Sequence, residues 1–108
     1  FLPFTVFGKD IQGSGWLFAE ADVDKRIILF EKDGTFTYQN LVSVSGNEGV
    51  VFSEPDDTWT IDEDKVVISF TNGYRICSLE LNRSKDRMSG TCINKRGLVE
   101  RIRGHIIE

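Results

Sequence analysis

Scarcity already narrows the reading of this 108-residue chain, which holds two cysteines, two prolines, one histidine and one methionine. Two cysteines are too few for a disulfide-framework domain, so the fold has to come from a core. The lone histidine, His105, has no serine or cysteine placed to complete a nucleophile–base pair. No Cys-x-x-Cys, no glycine-rich phosphate loop and no paired zinc-ligand spacing occurs. Catalysis is therefore the weaker expectation, and neither a metal nor a cofactor is expected. No apolar run approaches the roughly 20 residues that span a bilayer, and no basic region followed by an apolar stretch opens the chain. A net charge of −4 and a pI near 5.0 argue against a nucleic-acid partner, which calls for a basic stripe. Apolar residues never recur at helical spacing over three turns, so no long helix is predicted.

What is present is strand pattern and turn chemistry. The segment Thr58–Ile93 folds on paper into three antiparallel strands. Asn72-Gly73 favours a two-residue hairpin turn, because both central positions need positive φ. Pairing outward sets Ile68 against Cys77 and Val66 against Leu79. A second reversal around 83–86 sets Leu81 against Met88, Leu79 against Gly90 and Cys77 against Cys92. Both turns put Val66, Ile68, Cys77, Leu79, Leu81, Met88 and Cys92 on one face. Cys77 and Cys92 can then form a disulfide or pack as two small hydrophobes in a reducing compartment.

Around this centre the chain reads as a series of short strands. Residues 1–12, with Phe1, Phe4 and Phe7, form an irregular lead-in to a single domain spanning 1–108. Trp16 and Phe18 share a face of the first strand. Asp33-Gly34 marks a two-residue hairpin between Arg26 and Val42. Val50–Phe52 is a short strand that Glu54-Pro55-Asp56-Asp57 breaks. In the last strand Val99, Arg101 and Arg103 share a face, with Val99 beside Cys92 and a bulge or bend at Gly104. The acidic turns 20–24 and 56–64 read as solvated connections.

Eight or nine short strands with hairpin-length connections imply an all-β, compact antiparallel meander closing into an up-and-down barrel. Closure also removes edge strands, which are an aggregation hazard.

The residues resemble the calycin group of lipocalins and fatty-acid-binding proteins. The similar features are Gly13-Ser14-Gly15-Trp16 opening the first strand and the hairpin Phe30…Asp33-Gly34-Thr35-Phe36. They continue with Trp59-x-Ile61, Val66-x-Ile68-x-Phe70, Met88-x-Gly90-Thr91 and a last strand carrying arginines. The resemblance implies a calycin-like barrel and a terminal arginine, Arg101 or Arg103, packed across Trp16. It also implies arginines of the late strands inside the barrel.

Two functions follow. In the first, Arg75, Arg101 and Arg103 face inward and hold the carboxylate of a small apolar or amphipathic ligand, with Trp16, Tyr38, Phe70 and Met88 along its body. In the second, the barrel is filled and acts through its surface as an assembly module, with copies of itself or with another protein.

Overall fold

Alternating apolar and polar side chains over short segments can bury a common core only as strands. The computed structural model describes residues 11–20, 24–42 and 49–107. Its strands in chain order are β1 (Gly15–Glu20), β2 (Asp24–Phe30), β3 (Thr35–Val42), β4 (Val51–Asp62), β5 (Lys65–Phe70), β6 (Arg75–Leu81), β7 (Arg87–Asn94) and β8 (Val99–Ile106). Each is antiparallel to the next, and β1 also pairs with β8, so the meander closes into a barrel. Among the described residues no helix is long and apolar enough to cross a membrane. Most of the expected lead-in lies outside the described residues. From its end, Ile11 is fully buried, and Gly13 N donates to the Phe30 carbonyl at 2.6 Å.

The central meander has the expected register, with Ile68 against Cys77, Val66 against Leu79 and Leu81 against Met88. Asn72 and Gly73 have φ of 55° and 88°, and Tyr74 N donates back to Thr71 O, as a two-residue hairpin turn requires. Cys77 and Cys92 are joined by a disulfide. Their two strands run close together, and a Cβ on Gly90 would lie 1.9 Å from the Ser78 carbonyl oxygen, so only glycine fits there.

Side chains from every strand fill the interior. Trp16, Phe18, Ile28, Phe30, Phe36, Trp59, Val66, Ile68, Phe70, Leu79, Met88 and Ile102 are all buried. An eight-stranded barrel is just wide enough to be packed in this way. Aromatic rings run through it edge to face, including Phe18–Phe30, Phe30–Trp59 and Phe36–Phe70 at centroid distances of 6.3, 5.2 and 5.0 Å.

Four local expectations are corrected. The hairpin after Phe30 is not a two-residue turn at Asp33-Gly34. Gly34 N donates to Glu31 O, Glu31 N donates to Thr35 O, and Gly34 alone takes positive φ, at 90°. This is a turn followed by a left-handed glycine, the usual three-residue solution. Nor does Pro55 end a strand, because β4 runs through it. Between the pairs Thr37–Ser53 and Thr35–Thr58, one residue of β3 spans four of β4, and Pro55 sits in that bulge. Gly104 is neither bulge nor bend: it pairs regularly with Phe18 and Met88. A Cβ there would lie 2.5 Å from the Phe18 ring, so the glycine makes room for an aromatic.

The last correction concerns register. Val99 pairs with Ile93 and Arg101 with Thr91, one residue away from the expected pairing. A one-residue slip exchanges the two faces of a strand. Glu100, Ile102 and Gly104 therefore turn inward, while Arg101 and Arg103 are exposed on the outside. The turn explains the slip: the Asn94 side chain accepts from Arg96 N and Leu98 N, and Gly97 has φ of 86°.

Candidate functional site

The two ends of the barrel differ in chemistry, and the polar end gathers the candidate site. Strand alternation sends residues 16, 18 and 20 of β1 to one side, so Glu20 follows Trp16 and Phe18 inward and is 2% exposed. By the same parity Arg26 follows Ile28 and Phe30 on β2. Arg75, opposite Phe70, follows the inward face of β6.

These three side chains meet at the mouth. One oxygen of Glu20 pairs with Arg75 Nη2, and the other lies 2.6 Å from Arg26 Nε. Arg26 and Glu20 meet there as charges, off the hydrogen-bonding line. Arg75 also donates to Glu100 at 3.5 Å. Beneath them, the Arg26 guanidinium lies 5.0 Å from the Tyr38 ring centre and 5.4 Å from that of Phe70. The Arg75 guanidinium also lies 5.4 Å from Phe70. Two carboxylates thus face two guanidiniums on an aromatic floor. Burial raises the pKa of the Tyr38 phenol, against the pull of the Arg26 charge.

The β4 bulge braces this mouth. Asp57 is buried and accepts from Thr71 N at 2.9 Å, and Asn72 N donates to Asp56 O at 3.1 Å. Thr71 has φ of 52°, an unfavourable conformation for a β-branched residue, and these bonds hold it there. Glu20, Arg26, Tyr38, Phe70, Thr71, Tyr74, Arg75 and Glu100 line an open recess of about 250 Å³.

Of the seven expected ligand-contacting residues, Arg75, Tyr38 and Phe70 converge at this mouth. Trp16 and Met88 lie in the packed core, Trp16 between Ile28 and Ile106. Arg101 and Arg103 lie on the outer face, so neither packs across Trp16. Glu20, Arg26 and Glu100 were not among the expected site residues. The parity that carried Trp16 and Ile28 inward would have found the first two. Among the described residues no group of three or more His, Cys, Asp or Glu side chains is placed to hold a metal ion.

Compared with known proteins, the chain matches no family model and no curated protein. It is similar in fold to a solved structure from Burkholderia vietnamiensis described as a "putative beta-lactamase". That likeness has a TM-score of 0.62 and 10% identity, covering 90% of this chain and 93% of that one. At such identity it is a likeness of fold alone.

Proposed function

We propose that this chain is a non-enzymatic interaction module, a filled barrel that acts through its outer surface. The observation that carries this reading is the state of Arg75. A barrel that stores an amphipathic acid leaves an interior arginine for the ligand's carboxylate. Here Glu20 supplies that carboxylate from the chain itself, and buried side chains occupy the space a ligand's tail would need. The eight-stranded up-and-down topology supports a calycin-like grouping, while the isoleucines flanking Trp16 speak against the arginine–tryptophan packing of that group. The name of the structural neighbour adds no catalytic reading, since at 10% identity the likeness is one of fold.

Native mass spectrometry of gently purified protein, followed by titration with palmitate, tests the proposal. The expected result is the bare polypeptide mass, with no small molecule released on denaturation and no saturable uptake of palmitate. One-to-one palmitate binding that Arg75→Leu abolishes would overturn it in favour of an interior carrier.

A further inference from the structure

Charge is segregated along this chain. From Glu54 to Asp64 there are six acidic residues and no basic one. From Arg87 to Arg103 there are five basic residues and one acidic, Glu100, which turns into the mouth toward Arg75. In the closed strand order β4 and β8 lie four strands apart in either direction, so the two sets occupy opposite sides of the barrel. Asp57 and Asp64 are engaged internally, but Glu54, Asp56, Asp62 and Glu63 are exposed.

The basic side is also grooved. Outward-facing Ala19 and Ser89 pair with Arg103 from its two sides, so small side chains flank a long one. Two open grooves of about 440 and 480 Å³ share these residues, with Arg87 lining one and Arg101 the other. The acidic Glu80 also lines the first. Toward the mouth, the face continues as a directly paired apolar row, Ile76–Ile93–Val99, which is 39%, 49% and 58% exposed. The acidic side has apolar exposure of its own at Val51, the first residue of β4, which is 63% exposed. Each face thus offers what the other lacks in charge, with apolar surface on both.

We infer that the occupant of the β7–β8–β1 face is the acidic β4 face of a second copy of this chain, so that copies associate head to tail; this rests on the reading of the barrel as a surface-acting module. Such a contact is heterologous and propagates into a ring or a filament. Closure of the barrel means that side chains, and not strand pairing, carry it.

Sedimentation velocity of the full chain over a concentration series tests this. At low ionic strength the average mass is expected to rise with concentration, and added salt should return it to the monomer, because the charges are exposed. Arg87→Glu with Arg101→Glu should weaken association at least roughly tenfold, as should Glu54→Lys with Asp56→Lys. The distinguishing result is the mixture. Each double variant keeps one intact face, and the two reversed faces are again opposite in charge, so an equal mixture should restore the concentration-dependent association that each variant alone has lost. Wild-type protein that stays monomeric at low salt up to millimolar concentration would overturn the inference. So would association that survives both charge reversals, or a mixture that remains inert. A monomer without bound small molecules would sink only this choice of partner, whereas palmitate uptake would sink the module reading beneath it. Salt dependence of the wild type keeps the test decisive even where a variant folds poorly.

Discussion

At one end of the barrel Trp16, Phe30 and Trp59 close the core, and at the other Glu20 holds Arg26 and Arg75 over Tyr38 and Phe70. Both ends bury polar atoms, but they satisfy them differently. The indole N–H of Trp16 donates to Ser14 Oγ at 2.8 Å, and that of Trp59 to the Glu31 carbonyl at 2.9 Å. Each donor has one neutral acceptor, and the remaining stabilisation is apolar area and ring contact. The mouth depends instead on one carboxylate shared between two cations. Losing a ring leaves a void, while losing Glu20 removes the carboxylate between Arg26 and Arg75 and leaves Arg75 with Glu100. The aromatic end should therefore be sensitive to volume and the mouth to charge balance.

The largest expected effect is at the aromatic end. Trp16→Ala should cost about 3–5 kcal/mol in chemical denaturation, because a fully buried ring leaves a cavity. A loss under about 1 kcal/mol would mean that this end can collapse around the gap.

At the mouth, Glu20→Gln keeps volume and removes charge. It should cost about 3 kcal/mol, at the low end for a broken buried pair because both guanidiniums keep some contact with water. Replacing Glu20, Arg26 and Arg75 together by Leu, Met and Met should recover most of that loss. If the triple variant is no more stable than Glu20→Gln, the mouth contributes more than balanced charge and the contrast with the aromatic end is too simple.

The smallest effect concerns alkaline pH. Burial raises the folded pKa of Tyr38 above its ordinary value, so the folded state holds that proton after the unfolded chain has released it. The associated stability is fully present below about pH 10 and is lost as pH rises through the folded value. Melting temperature should fall across that range less steeply in Tyr38→Phe than in wild type. An unchanged slope would remove Tyr38 from the account.

Sequence and structure agree on register in the central meander, where two signals coincided. Asn72-Gly73 and the apolar alternation on either side of it point to one register, so the pairs from Val66 to Cys92 were legible. Position 99 had only one: Val99 and Ile102 differ in parity, and nothing local says which faces the core. The Asn94-capped turn decides in favour of Ile102, which carries Glu100 inward to Arg75 and leaves Gly104 beneath Phe18. Pro55 misled for a related reason. A proline reads as a break in a ladder, and a bulge that long depends on what Asp56 and Asp57 do at the Thr71–Tyr74 turn. The candidate site was half legible. Arg75, Tyr38 and Phe70 stood out as polar or aromatic on inward faces, but Glu20 and Arg26 looked like parts of a solvated acidic turn and its basic flank.

The pairing of β1 with β8 has a consequence for synthesis. Trp16 is matched with Ile106, ninety positions later, so the seam that completes the barrel joins the earliest described strand to the last. While a ribosome still holds Val99–Ile106, β1 and β7 each present an unpaired edge, and only the local hairpins can form. The nascent chain is therefore open to wrong pairings until β8 has left the ribosome, and the barrel can close only from that point.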